Sequence, residues 1–289
     1  MTQPITAKMV AELRGRTGAG MMDCKTALEE AHGDMDRAVE ILRKKGIAKA
    51  DKRADRSASQ GLIVVEAAHS GRDAAMIELN SETDFVAKSE DFVALAHDLA
   101  THALQHAPLG VHPGTALEGQ PFRGSTVGEA VKLVSGKTGE AMALKRVARF
   151  HAPEGTVGHY LHHNGQSAAL VEIIGPRSEA VTALARELAL HTTSTDPLGV
   201  SEADIPADVL ARERRIAEEQ VAAEGKPENI RPKIVDGKLR KFVAERTLLG
   251  QAFVKDDSKT VGDLVKEAAK SAGGALTVTR LARFKVGEG

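Results

Sequence analysis

Two glycine-containing motifs carry residue types that bind phosphate groups in other proteins. Residues 17–21 (TGAGM) begin like the glycine-rich turn that holds a dinucleotide, but no strand-like segment precedes them, and Asp23 occupies the position of the third glycine. Residues 136–138 (GKT) resemble the end of a phosphate-binding loop, but the first glycine of such a loop would fall at Val131. We therefore expect a turn between a helix and a strand at 136–138.

Histidines form two further groups that could in principle bind a metal ion or act in catalysis. His102 and His106 stand one helical turn apart, but no third ligand lies at a recognisable spacing, so a solvated helix face is the favoured interpretation. His159, His162 and His163 follow a predicted strand and turn, and the sequence places no cysteine, serine or carboxylate beside them. We predict no catalytic residue, no metal site and no cofactor.

Phe85 stands beside Asp84 in a segment whose other side chains are mostly charged. Full burial of a Phe side chain is worth roughly 1.5–3 kcal/mol, so its exposure to water is costly. In one interpretation Phe85 folds back beneath the following helix, whose apolar face contains Phe92 and Leu95. In the other, Phe85 is an anchor that enters a pocket of a partner protein, as aromatic residues do at binding hot spots. The pattern by itself favours the first interpretation.

The composition indicates a globular protein without a strong electrostatic field. Among 289 residues, 39 basic and 40 acidic side chains nearly cancel, so direct binding of nucleic acid is not expected. The single cysteine, Cys24, cannot form an internal disulfide. The N-terminus has no signal or transit character, and no apolar run approaches 18 residues. We expect a cytoplasmic protein that does not contact a membrane.

Residues 1–50 are predicted to form a module of three short helices. Apolar residues recur at helical spacing in each, and the breaks fall at 18–20 and 33–34. Thr6 is the predicted N-cap of the first helix and Asp34 that of the third, while Gly46 is placed to end the third. The segment that follows has almost no large apolar side chains, so we place a solvated linker at 51–60.

Beyond the linker the sequence repeats itself at three successive offsets. Residues 61–79 match the segment 94 positions later, 94–100 match the segment 89 later, and 126–150 match the segment 134 later. Each copy indicates a hairpin, two helices and a strand, and Asn164-Gly165 supplies the positive φ angles of a hairpin turn. The predicted fold class is α+β, with two related halves at 61–154 and 155–289 and small antiparallel sheets.

The two copies differ in two places, where function is most expected. The first copy is five residues longer between Leu79 and Ala94, the stretch that contains Phe85. The second is 45 residues longer between its two helices, at about 201–248. This insert contains predicted helices at 206–224 and 228–245, and its apolar residues are too sparse for a buried element. We predict a protruding helical hairpin.

Two long motifs, at 13–25 (LRGRTGAGMMDCK) and 82–87 (ETDFVA), resemble signatures of the elongation factor Ts family, and the likeness covers nearly the whole chain. Shorter matches lie at 160–162, 225–227, 241–242 and 258–262. The family's architecture is a helical module similar to ubiquitin-associated domains and a core of two related halves, the second with a helical protrusion. That architecture agrees with the repeat.

The resemblance implies a guanine-nucleotide exchange factor of translation elongation, not an enzyme, whose partner is elongation factor Tu, GDP-bound or nucleotide-free. The residues implied to dock the module on the partner's nucleotide domain are Arg14, Gly18, Met21 and Met22. The residues implied to enter that domain and displace Mg²⁺ are Thr83, Asp84, Phe85 and Val86. His162 would touch a second domain of the partner. The resemblance also admits a homodimer within a 2:2 complex.

The sequence departs from the family pattern in two places, and two other functions are weighed against the exchange factor. Pro232 falls inside the second predicted helix of the insert, which should therefore start later or kink. Longer members have a further helical segment after the position of Val286, so the contact of that segment with the partner's nucleotide domain is not expected here. The rivals are an adaptor that binds proteins through residues 6–46, and a nucleotide-using enzyme built around 136–138.

Overall fold

The computed structural model describes residues 4–225 and 227–288. Lys226, part of the motif at 225–227, and residues 1–3 and 289, at the ends of the predicted domains, lie outside the described residues. The α-helices in this part of the chain are α1 Ala7–Thr17, α2 Met21–Glu30, α3 Met35–Asp51, α4 Asp84–Ala87, α5 Glu90–His106, α6 Thr115–Glu118, α7 Val127–Thr138, α8 Glu179–Thr195, α9 Ala207–Ala223, α10 Arg231–Arg246 and α11 Val261–Ala272. The strands are β1 Gln60–Ala67, β2 Asp73–Ser81, β3 Gly110–Pro113, β4 Pro121–Phe122, β5 Ser125–Thr126, β6 Met142–His151, β7 Gly155–Leu161, β8 Ser167–Ile174, β9 Ala252–Phe253, β10 Asp256–Thr260 and β11 Thr277–Lys285.

Contacts divide the chain into two compact units. One comprises the residues through Val64, Ile77–Val147 and the residues from Val286. The other comprises Val65–Met76 and Ala148–Lys285. No helix within the described ranges is long and apolar enough to cross a membrane.

The N-terminal module has the three predicted helices and the predicted caps. The Thr6 side chain accepts a hydrogen bond from the Met9 N–H (3.3 Å), and the Asp34 side chain accepts one from the Arg37 N–H (3.0 Å). Both satisfy backbone donors that the first turn of a helix leaves free. The helices enclose an apolar core of Val10, Leu13, Cys24, Ala27, Leu28, Ala31, Ala38 and Leu42.

The prediction that Gly46 ends the third helix is wrong, because α3 continues to Asp51. A Cβ atom added to Gly136 on α7 would lie only 2.8 Å from the Gly46 carbonyl oxygen, so the two helix backbones touch there. Ion pairs flank the crossing, Arg43 with Glu129 (2.9 Å) and Lys132 with Asp51 (2.7 Å). A glycine costs a helix about 1 kcal/mol, and tertiary packing of this kind readily offsets that cost.

The mixture of helices and small sheets confirms the α+β class, and the three strands that both copies share have the same order. The first copy forms a sheet in the order β1-β2-β6-β3, and the second a sheet in the order β7-β8-β11. In each, the second hairpin strand lies between the first hairpin strand and the last strand of the copy. Strand β8 pairs antiparallel with both β7 and β11.

The hairpin turn of the second copy differs from the prediction in one detail. The Gly165 N–H donates to the His162 carbonyl (2.8 Å), and Gly165 has a positive φ of 68°. Asn164 does not have a positive φ; its side chain accepts a hydrogen bond from the Gln166 N–H (3.0 Å). The expectation of positive φ at both residues was therefore wrong, since the glycine alone provides the left-handed conformation.

Buried ionic contacts also repeat. Glu78 is fully buried and pairs with Arg146 (Nε to Oε2, 2.7 Å). At the equivalent positions, 94 and 134 residues later, Glu172 is 6% exposed and pairs with Arg280 (2.6 Å). Both pairs join the central strand of a sheet to its last strand.

A contact between a histidine and a glutamine also recurs. His102 Nε2 lies 2.9 Å from Gln120 Oε1, and His191 Nε2 lies 2.9 Å from Gln251 Oε1. The Val254 N–H donates to His191 Nδ1 (3.2 Å), so the neutral ring uses both nitrogens. Burial lowers the pKa of both histidines, and His191 is fully buried.

The insert forms the predicted helical hairpin, and α9 and α10 bury a small cluster of their own: Ala217, Val221, Val235 and Ile234. Helix α10 begins at Arg231, three residues later than predicted. Pro232 thus stands in the first turn, where its missing N–H would have had no partner within the helix. The helix starts late for this reason.

Candidate functional site

Phe85 lies on α4, a single helical turn that projects its ring into solvent. The Thr83 side chain caps this turn by accepting a hydrogen bond from the Val86 N–H (3.3 Å). Ala87, 7% exposed, takes the inward position, while Phe85 is 83% exposed. The interpretation that the pattern favoured, a Phe85 ring folded beneath α5, is wrong. The helical turn points Ala87 inward, and a sequence pattern cannot decide which residue of so short a turn faces the core.

Asp84, beside Phe85, is an exposed acid with a local partner. Its carboxylate pairs with the Lys88 ammonium at 2.6 Å, one helical turn further along the chain. The hydrogen bond from Lys88 holds the pKa of Asp84 below its ordinary value. Both side chains are more than half exposed, so this pair exchanges easily with water or with polar groups of a partner.

Polar contacts hold the base of the Phe85 turn. The Glu140 carboxylate accepts two hydrogen bonds from Thr83, one from its backbone N–H (3.0 Å) and one from its hydroxyl (2.6 Å). The Glu82 carboxylate accepts one from the Ala141 N–H (2.7 Å), and this bond lowers the pKa of Glu82. The Ser81 hydroxyl donates to the Thr83 carbonyl (2.9 Å). The Phe85 turn therefore has an exposed tip and a base that these hydrogen bonds hold in place.

The junction between α1 and α2 brings together the four residues expected to dock the module. The Gly18 N–H donates to the Arg14 carbonyl (2.7 Å), and Gly18 ends α1 with a φ of 67°. Met21 and Met22 open α2 and are 45% and 71% exposed, unusual values for apolar side chains. Flexible methionines on a surface adapt readily to a binding partner.

Lys137 connects this junction to the region of Phe85. A side chain at Gly18 would collide with the Lys137 side chain, which lies against the glycine. The Lys137 ammonium pairs with Asp91 (2.5 Å), in the first turn of α5, directly after the Phe85 turn. Helix α7 therefore contacts the module through Gly136 and Lys137, and the turn after it holds Thr83 through Glu140.

His162 lies in the other unit, at the turn between β7 and β8. Its ring is half-buried, and its Nδ1 lies 3.3 Å from the Tyr160 hydroxyl. The His163 ring lies beside it, with 4.2 Å between the ring centroids.

Residues of both glycine motifs line one cavity of about 380 Å³ between the module and α7. Residues 136–138 form the last turn of α7, not the turn between helix and strand that we expected. The backbone donor of Gly18 and the ammonium of Lys137 both have partners within the protein. A cradle of free N–H groups, which phosphate binding requires, is therefore not formed by these groups.

Histidine chemistry finds no support in the geometry. His102 is bound to Gln120, and its ring centroid lies 4.6 Å from that of His106. Within residues 4–225 and 227–288, no group of three His, Cys, Asp or Glu side chains could hold a metal ion.

Sequence reasoning missed Glu140. A signal was present, since the offset of 134 that relates the last helix and strand of the copies aligns Gly139-Glu140 with Gly273-Gly274. Both first glycines end a helix in the left-handed conformation, with φ of 82° and 72°. The carboxylate is thus a feature of the first copy alone.

Comparison with known proteins identifies the family. The family model described as "Elongation factor TS" matches residues 82–288. Among the similar proteins, elongation factor Ts of Nitratiruptor sp. is 44% identical over 99% of this chain and 94% of its own length. Elongation factor Ts of Alkalilimnicola ehrlichii is 43% identical over 99% and 93%, and that of Chloroherpeton thalassium is 40% identical over 98% and 99%. The chain therefore belongs to the elongation factor Ts family and is a translation elongation factor.

Proposed function

We propose that this chain is a guanine-nucleotide exchange factor that binds elongation factor Tu carrying GDP, displaces Mg²⁺ and promotes release of GDP. The observation that carries the proposal is Phe85, an aromatic side chain 83% exposed on a turn whose base is fixed by Glu140 and Glu82. Folding alone gives no reason to expose it. A pocket of a partner does, because burial of the ring is worth roughly 1.5–3 kcal/mol.

In the proposed mechanism Phe85 acts as a wedge between two helices of the partner's nucleotide domain. Mg²⁺ requires near-ideal octahedral geometry, so a small shift of the groups around it weakens its hold on the nucleotide phosphates. Asp84 offers polar contacts beside the wedge by exchanging its bond to Lys88. Thr83 and Val86 hold the turn in its helical shape through the cap.

Two further surfaces hold the partner while the wedge acts. The junction of Arg14, Gly18, Met21 and Met22 docks on the nucleotide domain. His162 and the neighbouring strand β7 contact a second domain of the partner, so that the wedge moves the partner's helices and does not push the two proteins apart.

Exchange of this kind requires no chemical step by this chain. If the factor weakens nucleotide binding by a given ratio, nucleotide weakens factor binding by the same ratio. GTP then displaces the factor from the nucleotide-free partner. The proposal therefore assigns no enzymatic activity and no cofactor to this chain, and places it in the cytoplasm with translation.

Stopped-flow release of fluorescent GDP from elongation factor Tu, with and without this chain, tests the proposal. We expect a release rate that rises with factor concentration and then saturates. A chain that binds the partner without accelerating release would be the adaptor, and equilibrium dialysis that shows GTP or ATP bound to the chain alone would favour the enzyme.

A further inference from the structure

Two carboxylates join the base of the Phe85 turn to the segment that follows α7. One belongs to each side. Glu140, directly after α7, accepts both polar hydrogens of Thr83 (3.0 and 2.6 Å). Glu82, on the Phe85 side, accepts the N–H of Ala141 (2.7 Å) and pairs with Arg56 (3.3 Å). We call these two side chains the carboxylate brace. Hydrogen bonds to an ionised acceptor are roughly twice as strong as neutral ones, so the brace is a strong contact for so small a segment.

The second copy has the equivalent two segments but no turn like that of Phe85, and it has no carboxylates at these positions. The offset of 94 places Pro176 at the position of Glu82, and the offset of 134 places Gly274 at that of Glu140. A Cβ atom on Gly274 would lie 2.6 Å from Cγ of Pro176, so the glycine backbone packs directly on the proline ring. In the second copy the two segments are therefore held together by apolar contact, without a carboxylate.

Both carboxylates therefore require an explanation other than folding. Both occur in the copy that exposes Phe85. Glu140 binds Thr83, which caps the Phe85 turn, and Glu82, the residue before Thr83, binds the Ala141 N–H. A wedge transmits force only if its base does not yield, and a turn held before binding loses less conformational entropy when it docks. The brace provides both properties.

We propose that the carboxylate brace fixes Phe85 for insertion into the partner, and that Glu140 is a positioning residue for nucleotide release. This inference rests on the proposed exchange function. It predicts that loss of the brace lowers the maximal rate of GDP release at saturating factor, because docking uses other surfaces. A purely structural role would instead reduce the folded fraction, which raises the half-saturating concentration and leaves the maximal rate unchanged.

Stopped-flow release of fluorescent GDP from elongation factor Tu should separate these roles. We expect Glu140→Ala to lower the maximal rate about tenfold, with the half-saturating concentration changed less than about threefold. Glu140→Gln retains one acceptor oxygen for the Thr83 N–H, so its maximal rate should lie between those of the wild type and of Glu140→Ala. Glu267→Ala, which removes a carboxylate paired with Lys259 in the other unit, is the matched control and should behave like the wild type.

A double-mutant cycle identifies the route through Phe85. If Glu140 acts by positioning the ring, Glu140→Ala should cause no further loss in a Phe85→Ala background. The proposed role of the brace would be overturned by an equal loss of maximal rate in the wild-type and Phe85→Ala backgrounds, or by a wild-type maximal rate in Glu140→Ala. Phe85→Ala alone tests the proposed exchange function separately. Should Glu140→Ala unfold, the same comparison with Glu140→Gln decides, because that variant keeps the size and polarity of the side chain.

Discussion

The two copies differ in the segment that follows the second hairpin strand. In the second copy, residues 175–178 lead straight from β8 into α8. In the first, residues 82–89 interpose a helical turn with an exposed Phe85 before α5 begins. The second copy shows that the frame of hairpin, helices and strand closes without this turn. The turn is therefore an addition that this arrangement of hairpin, helices and strand does not need in order to close.

The contacts that do repeat belong to the frame. Each copy has a buried Glu–Arg pair and a His–Gln contact, and each has a threonine that caps its second helix, Thr126 on α7 and Thr260 on α11. Features at equivalent positions are predicted to affect stability in both copies. The exposed Phe85 turn, which occurs in the first copy alone, is predicted to affect the partner.

The largest effect on stability is expected from the buried Glu–Arg pairs. Arg146→Ala leaves the Glu78 carboxylate buried without its arginine, and Arg280→Ala does the same to Glu172. Breaking a buried pair from one side costs about 3–5 kcal/mol, so both variants should show a lower free energy of unfolding in urea. A cost in one copy and none in the other would contradict the assignment of these pairs to a shared frame.

A smaller effect is expected from acid through the histidines. Burial lowers the pKa of His191 below its ordinary value of 6.5, so the folded state resists a proton that the unfolded state accepts. The stabilisation is present above pH 6.5 and is lost as the pH falls through the lowered pKa. Urea unfolding between pH 7.5 and 5 should show this decline.

Histidine variants distinguish the contributions of the two copies to this loss of stability in acid. His191→Gln should flatten the decline more than His102→Gln, because His191 is fully buried and His102 is not. Identical slopes in wild type and His191→Gln would show that this histidine is not the acid-sensitive group.

The smallest effect is expected from removing the insert. Helices α9 and α10 bury mainly each other, and the first copy closes the equivalent connection without them. Val200 and Leu248 belong to the core of the second copy, so the excision should stop short of both. Replacing residues 202–245 by a short Gly/Ser linker should change stability by less than about 1 kcal/mol, because loop-closure entropy varies slowly with length.

GDP release by the excised chain is the matching functional measurement. We expect the maximal rate to stay close to that of the wild type. A folded protein that no longer releases GDP would show that the insert contacts the partner and that the second difference between the copies is also functional.

Local signals and the repeat predicted most of the fold. Thr6 and Asp34 could be assigned as caps because their side chains act on donors three residues away. The repeat gave both the order of elements and the two places where the copies differ. Gly46 was misjudged because its role depends on Gly136, 90 positions further along the chain.

The site was predicted less completely, for a related reason. Phe85 could be singled out by its type and surroundings, but its exposure depends on which residue of α4 packs inward, and that residue is Ala87. Glu140 lies 57 positions from Thr83, and a distant single carboxylate has no signature of its own. It becomes visible once the second copy shows a glycine at the same position.

The central claim, that Phe85 is exposed to act on elongation factor Tu, is tested most directly by Phe85→Ala. The maximal rate of GDP release should fall about 30-fold or more, because removal of a hot-spot side chain costs about 2 kcal/mol or more and each 1.4 kcal/mol is tenfold. The melting temperature should stay within about 2 °C of the wild type, because surface substitutions usually change stability by less than about 0.5 kcal/mol. A wild-type rate of GDP release, or a large fall in melting temperature, would contradict the account.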